Sequence, residues 1–286
     1  MTKKTLVIFT YARAELLSDC IRSVLSADGN ENWKKVLACH VGHSDVENVI
    51  KEFESEFDLV LRMKLQHKDN LANINLNRIM GTAICFDLLQ SDLVLGIEED
   101  TMIGYDALAF IDQMHEHYNL NPAFRGINLG SHESKTKENL HTYSLLRFGL
   151  NSQAGVLTSK TWKRFSVENL LKDVSNEGWD SKMEFRIKTG FMVTPNASRS
   201  LDRGWGGTHT PKDPQDPYFE RQIHSWVGTN PFESHQFVLK NVKHSWRRDA
   251  IPYRKLDSIY FRLRNVRFVH CCYTYLRELG WKGLNL

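Results

Sequence analysis

The fold of this 286-residue chain is indicated most clearly by residues 93–100, which read Leu93-Val94-Leu95-Gly96-Ile97-Glu98-Glu99-Asp100. An apolar run of this length is typical of a buried strand, and three carboxylates follow at the point where that strand would end. Upstream, apolar runs at 6–9, 36–41 and 58–63 alternate with stretches whose apolar residues recur at helical spacing. This alternation predicts βαβ units, in which right-handed crossovers build a doubly wound, mostly parallel sheet with helices on both faces.

Two of the predicted strands end in polar residues. The first leads into Thr10-Tyr11-Ala12-Arg13 and the fourth into Glu98-Glu99-Asp100, and ligands of parallel sheets gather at the carboxyl ends of the strands. Three adjacent carboxylates repel one another unless a cation lies nearby, and a hard divalent ion with oxygen ligands would supply that charge. The alternative is a solvated loop in which Asp100 or Thr101 caps a helix. The position at a strand end favours the metal site.

The composition is that of a globular chain, and it argues against disorder, fibrous repeats and a disulfide framework. Hydrophobic residues make up 41% and charged residues 25%, with a formal net charge of +3. No apolar run approaches the roughly 18–20 residues of a membrane span, and the first residues lack a signal-peptide core, so we expect a cytoplasmic protein. The five cysteines include no C-x-x-C pair, which argues against structural zinc.

Basic charge is concentrated at the C-terminus. Residues 241–286 hold 10 lysines and arginines against 3 acidic residues, and aromatic residues are interleaved among them. We therefore predict two regions, a domain at 1–240 and a basic helical segment at 241–286. The segment suits peripheral contact with an anionic membrane on its inner face, rather than nucleic acid; the alternative is a helix that packs on the domain with a basic outer face.

Four blocks of the sequence occur in an order typical of one enzyme family. They are Phe9-Thr10-Tyr11-Ala12-Arg13, Gly96-Ile97-Glu98-Glu99-Asp100, Trp179-Asp180 with Met183, and Pro195-Asn196-Ala197-Ser198-Arg199-Ser200 followed by Gly204 and Gly207. On these blocks the chain resembles the GT-A glycosyltransferases, most closely the N-acetylglucosaminyltransferase I type, over roughly residues 4–215. One departure concerns the nucleotide base: where the family has an aspartate that reads it, this chain has His40.

The resemblance implies a GT-A fold and a metal-dependent, inverting transfer of a sugar. The donor would be a nucleotide-sugar, expected to be UDP-linked, and the acceptor a hydroxyl of a glycan or of a lipid-linked glycan. Asp100 would bind Mn²⁺ or Mg²⁺, with His209 as a candidate second ligand, and Asp180 would take the proton of the acceptor hydroxyl. Guanidinium and carboxylate groups suit phosphates, ribose and metal waters. The donor would be bound by Thr10, Tyr11, Arg13, His40, Arg78, Glu98 and Glu99.

Most of these residues also have a structural interpretation. Arg13 and Arg78 would be surface residues of helices, Asp180 an N-cap and His209 an ordinary loop histidine. Two other functions remain open. One is a sugar-1-phosphate nucleotidyltransferase, although residues 10–13 lack the glycine-rich loop usual in that class. The other is a non-catalytic glycan-binding module that has kept the fold.

Overall fold

The computed structural model describes most of the first 239 residues. The described ranges are 2–131, 139–146, 150–151, 153–172, 174, 179, 190–205, 213, 215–232 and 236–239. Asp180, His209 and the basic segment at 241–286 lie outside them. The domain boundary at 240 and the helical character of the segment therefore stay predictions. Within the described ranges, no helix is long and apolar enough to cross a membrane.

The first hundred residues form the parallel half of the sheet. The strands are β1 (Lys4–Thr10), β2 (Lys34–His40), β3 (Leu59–Met63) and β4 (Leu93–Glu98). Between them lie α1 (Ala14–Leu25), α2 (Ser44–Phe53) and α3 (Asn70–Ala83), with short 3-10 turns at Asn30–Asn32 and Glu54–Glu56 and a π turn at Ile84–Leu88 that extends α3. β1 pairs in parallel with both β2 and β4, and β2 pairs in parallel with β3. The strand order is β3-β2-β1-β4.

The second half of the sheet mixes strand directions. Its strands are β6 (Phe124–Asn128), β7 (Thr142–Leu146), β8 (Ala154–Thr158), β9 (Phe191–Pro195) and β11 (Val238–Leu239). The helices are α4 (Ala107–Tyr118), α5 (Ser159–Trp162), α6 (Val167–Leu171) and α7 (Pro217–Ser225). In the described ranges the order of the nine-stranded sheet is β11-β7-β9-β6-β8-β4-β1-β2-β3, and β8 runs antiparallel to both neighbours. A separate antiparallel ribbon joins β5 (Thr101–Ile103) to β10 (Ser200–Asp202).

Both faces of the parallel half are buried. Leu6, Val7 and Ile8 are consecutive and fully buried, although alternate side chains of a strand point to opposite faces. Val7 belongs to a core cluster with Ile79 of α3 and Phe86 of its π turn, whereas α1 buries its own apolar stripe and packs against α2. Strands enclosed in this way must be apolar throughout, which is why they read as continuous apolar runs. The predicted α/β fold with a mostly parallel sheet is confirmed.

The order of the strands creates a topological switch point between β1 and β4. From β1 the chain moves outward through β2 to β3, and α3 then carries it back to β4 on the other side of β1. Right-handed crossovers in opposite directions along a sheet place their helices on opposite faces, so a crevice opens where the direction reverses. The residues that follow β1 and β4 line that crevice. They are the two polar blocks that the sequence indicates.

Candidate active site

Asp100 lies two residues beyond the end of β4, where 14% of its side chain is exposed and one of its two carboxylate oxygens is paired among the described residues. Oδ2 accepts a hydrogen bond of 2.6 Å from a terminal nitrogen of Arg13. Oδ1 is buried and has no partner among the described residues. Burial away from water, and then the charges of Glu98 and Asp202, raise the pKa of Asp100 to about 7, although Arg13 opposes the shift. The alternative of a helix cap is wrong here, because the next element is β5.

A second carboxylate, Asp202 at the end of β10, approaches Asp100 across Gly204. A Cβ atom at position 204 would overlap Oδ2 of Asp100 and lie 2.9 Å from Oδ1 of Asp202. A side chain at position 204 would therefore displace one or both carboxylates. Asp202 is itself held in place, because its Oδ1 accepts from the Gly204 N–H at 2.7 Å and its Oδ2 accepts from the amide of Gln153. The two carboxylates converge on one backbone position.

Sequence reasoning missed Asp202. It follows two residues of a very short strand, in a part of the chain rich in polar residues and glycine. The pairing of Asp202 with Thr101 in the β5–β10 ribbon brings it beside Asp100. The nearby Gly204, which belongs to the last of the four blocks, was the available signal.

Glu99 holds the loop after β1 in place. It is buried, and its two oxygens accept from the backbone N–H groups of Tyr11 at 2.6 Å and Ala12 at 3.1 Å. The predicted role of Glu99 was to bind metal waters or the ribose of the donor. In the structure both of its oxygens are engaged by this loop, which places Arg13 opposite Asp100.

Arg78 of α3 is buried and forms an ion pair with the partly exposed Glu98 at the end of β4. The guanidinium of Arg78 pairs with Glu98 and lies 5.9 Å from the ring centroid of Phe9 and 5.4 Å from that of Trp179. The surface salt bridge considered for Arg78 is therefore wrong, because the side chain lies in the interior. Trp179 is also held by its backbone N–H, which donates to Asn75 at 2.9 Å. Two side chains of α3 thus fix the residue that precedes Asp180.

Aromatic rings gather at the carboxyl ends of β1 and β2. Tyr11 lies 4.9 Å from His40 and 5.6 Å from His43 between ring centroids, and we call these three residues the ring cluster. The phenol of Tyr11 donates to Asn70 at 3.0 Å. Thr10 is different, because it is fully buried in β1 and its hydroxyl has no partner among the described residues. Of the predicted donor-binding residues, Tyr11, Arg13 and His40 follow or end these two strands.

The acids at the switch point fit a hard divalent cation. Such an ion takes one or two protein carboxylates and completes its shell with water and substrate phosphates. Asp100 offers an unpaired, buried oxygen for this purpose, and Asp202 lies on the other side of Gly204. Within the described ranges, no three His, Cys, Asp or Glu side chains surround a single point. A cation held here would therefore rely on its other ligands from substrate and water.

No protein-family model and no curated protein matches the chain. Among solved structures, it is similar to residues 1–349 of S. aureus TarS (TM-score 0.49, 10% identity, covering 70% of this chain and 60% of that one). It is also similar to a structure titled S. aureus TarS (0.47, 11%, 68% and 35%). A third is the mannosyltransferase PcManGT from Pyrobaculum calidifontis, in complex with GDP-Man and Mn²⁺ (0.44, 11%, 71% and 58%). The chain thus spans 60% or less of the length of each of these three chains.

Proposed function

We propose that this protein is a metal-dependent glycosyltransferase. It would move a sugar from a nucleotide-sugar, UDP-linked in the first instance, to a hydroxyl of a glycan or a lipid-linked acceptor, with inversion at the anomeric carbon. One observation carries the proposal. At the switch point between β1 and β4, Asp100 pairs one carboxylate oxygen with the guanidinium of Arg13, while its other oxygen is buried and has no partner among the described residues. Together they offer a cation ligand and a phosphate ligand in the same crevice.

The proposed chemistry is dominated by the charge of the leaving group. When the bond between the anomeric carbon and the diphosphate breaks, negative charge grows on the diphosphate, and a divalent cation would neutralise it. Asp100 and Asp202 would hold that cation. Arg13, now paired with Asp100, would exchange this partner for phosphate oxygens, because a guanidinium forms two parallel hydrogen bonds with them.

Asp180 is proposed as the base. Its carboxylate would take the proton of the acceptor hydroxyl while the hydroxyl oxygen forms its bond to the anomeric carbon, opposite the departing diphosphate. Support comes from its neighbour Trp179, which is buried and is held by Arg78 and Asn75. A base must be held within hydrogen-bond reach of its substrate.

The test is a thermal-shift panel of sugar nucleotides with Mn²⁺. A ligand at 100 times its dissociation constant adds roughly 2.7 kcal/mol to the free energy of unfolding. We expect at least one donor to stabilise the parent protein only when Mn²⁺ is present, and Asp100→Asn to abolish that shift while it remains folded. Asp112→Asn is the matched control, because Asp112 pairs with Lys4 and has no part in the proposed site. A metal-dependent shift that persists in Asp100→Asn would refute the metal assignment.

Activity and binding assays distinguish the alternatives. A sugar-1-phosphate nucleotidyltransferase would release pyrophosphate from a nucleoside triphosphate and a sugar phosphate, which a coupled phosphate assay detects. A glycan-binding module would bind glycans with no need for a sugar nucleotide. Hydrolysis or transfer of the donor sugar, lost in Asp100→Asn, would support the glycosyltransferase against both.

A further inference from the structure

We propose that Gln153 is a positioning residue for the cation of the proposed active site. Its side-chain amide holds the carboxylate of Asp202 in one orientation near Asp100, so that a divalent ion meets both acids already in place. The inference rests on the proposed function, because the cation belongs to the same site. Gln153 acts on the ion through Asp202 and is not itself a ligand.

The antiparallel direction of β8 brings Gln153 to the site. Gln153 immediately precedes β8, and the first residue of that strand, Ala154, lies opposite Ile97 of β4. Because antiparallel neighbours run in opposite directions, the amino end of β8 meets the carboxyl end of β4. The backbone N–H of Glu98 donates to the carbonyl oxygen of Gln153 at 3.0 Å. Gln153 is thereby bound to the residue that lies two positions before Asp100.

The backbone of Gln153 is held at both of its polar groups. Its carbonyl oxygen accepts from Glu98, and its N–H donates to the side chain of Asn151 at 2.9 Å. Asn151 is anchored in turn, because its N–H donates to the side chain of Asn128 in β6 at 2.8 Å. An ordered backbone lowers the conformational entropy that the Gln153 side chain loses when it makes a further hydrogen bond.

That further hydrogen bond reaches Asp202. Nε2 of Gln153 donates to Oδ2 of Asp202, while Oδ1 of Asp202 accepts from the N–H of Gly204 at 2.7 Å. A carboxylate oxygen can only accept, so the nitrogen of the Gln153 amide faces it. One donor on each oxygen fixes both the position and the plane of the carboxylate. Asp202 is buried, and its orientation is therefore set by the protein rather than by water.

Both of these donors are neutral, which distinguishes Asp202 from Asp100. Asp100 is paired with the guanidinium of Arg13, and a cation bound there competes with that positive charge. An amide and a backbone N–H orient Asp202 without neutralising it. A carboxylate that is already oriented loses less freedom when an ion binds. Partners that orient metal ligands in this way typically contribute a factor of about 10–100 to metal affinity.

The experiment is a titration of the full chain with Mn²⁺ alone, in which electron paramagnetic resonance reports the free ion. Gln153→Met keeps the approximate size of the side chain and its backbone bonds but removes the donor, so we expect the dissociation constant for Mn²⁺ to rise at least about tenfold. Gln113→Met is the matched control, because it makes the same substitution on α4, outside the proposed site. It should bind Mn²⁺ like the parent. Thermal melts establish that each variant is folded during the titration.

A double-mutant comparison shows whether Gln153 acts through Asp202. Asp202→Asn should also weaken Mn²⁺ binding, and the addition of Gln153→Met should then change the affinity by less than about threefold. A second loss that adds to that of Asp202→Asn would overturn the inference. Parental affinity in Gln153→Met would overturn it as well, and both outcomes would leave the proposed function standing.

The parent protein gives an independent readout if Gln153→Met fails to fold. The side-chain ¹H–¹⁵N signals of Gln153 should shift when the diamagnetic ion Mg²⁺ is added, because its hydrogen-bond partner Asp202 binds the ion, whereas those of Gln113 should not. Gln153 signals that stay unchanged at saturating Mg²⁺ would overturn the inference. If the parent binds neither Mn²⁺ nor Mg²⁺, the metal assignment of the proposed function fails and the inference falls with it.

Discussion

The raised pKa of Asp100 predicts that its charge destabilises the fold at neutral pH, and the same carboxylate is suited to bind a cation. One of its oxygens is buried without a partner among the described residues, and burial together with the charges of Glu98, Asp202 and Glu99 raises its pKa. Arg13 offsets only part of this repulsion. A carboxylate retained under such conditions is typical of a functional site, where groups are arranged for a ligand instead of for stability. Replacement of Asp100 by a neutral residue should therefore raise stability at neutral pH and abolish activity.

Replacement of Asp100 should change how the free energy of unfolding depends on pH. The pKa rises from 3.8 when unfolded to about 7 when folded, so between these values the native state holds more protons and stability falls as pH rises. We expect Asp100→Asn to match the parent at pH 4 and to exceed it at pH 8 by about 1 kcal/mol or more, or about 2–4 °C in Tm. Thermal melts without metal test this, and lower stability of the variant at pH 8 would contradict it.

Replacement of Asp180 should affect turnover alone. Asparagine keeps the size and much of the capping ability of aspartate, but its amide cannot accept a proton at neutral pH. Loss of a general base lowers the rate by a factor of about 10² to 10⁴, while donor affinity should stay within a few-fold. Steady-state kinetics and donor titration measure the two quantities. If Asp180→Asn keeps more than roughly a tenth of the parental rate, the base lies elsewhere.

At the scale of elements, Glu99 connects the end of β4 to the loop after β1. Glutamine at this position offers one accepting oxygen where two backbone N–H groups now donate, so one donor would face an amide N–H₂. We expect Glu99→Gln to lower the free energy of unfolding by about 1–3 kcal/mol.

Hydrogen exchange locates the effect of Glu99→Gln. The amides of Tyr11 and Ala12 should exchange faster, and donor affinity should fall because the loop carries Arg13. The control is Glu116→Gln, at an exposed position on α4. Unchanged protection of both amides would show that Glu99 does not hold the loop.

A deeper ion pair joins α4 to the segment before β10. Arg199 is fully buried, donates to both oxygens of Asp106 at 3.2 and 2.9 Å, and lies 4.9 Å from the ring centroid of Phe237. Loss of one partner leaves the other charge buried, so Arg199→Met should destabilise the protein by about 3–5 kcal/mol. The double variant with Asp106→Leu should recover much of this loss. Urea denaturation measures both, and equal stability of the single variant and the parent would contradict the prediction.

At the scale of the whole molecule, the charge of residues 241–286 predicts a docking surface for anionic lipid. Each cation near such a surface contributes about 1 kcal/mol. We expect the full chain to co-sediment with phosphatidylserine-containing vesicles at low salt, and less so as salt rises. Equal binding to neutral and anionic vesicles would remove the electrostatic basis. Replacement of Arg247, Arg248, Arg254 and Lys255 by glutamine should weaken binding without loss of donor affinity.

The parallel half of the sheet could be predicted from the sequence because each of its strands and helices has a recognisable local pattern of apolar residues. Strands buried on both faces, such as β4, read as unbroken apolar runs, and the carboxylates after β4 mark the site. The apolar residues at 153–157 also favour a strand, but the antiparallel direction of β8 depends on pairing with distant segments. The burial of Arg78 could not be predicted either, because no residue pattern on α3 indicates that Glu98 will be its partner. Local patterns of apolar and polar residues could be predicted from the sequence, whereas contacts between distant segments across the sheet could not.

The sequence order of the strands has a consequence for synthesis. β1 to β4 are complete once residue 98 has been made, whereas their neighbour β8 begins at Ala154 and Asp202 follows later still. At about 5–20 residues per second, translation from Glu98 to Ala154 takes about 3–11 s. During that interval β4 is an open sheet edge, which is prone to pairing with other chains. We expect nascent chains stalled before Ala154 to recruit chaperones or aggregate, and chains that include β8 to be protected.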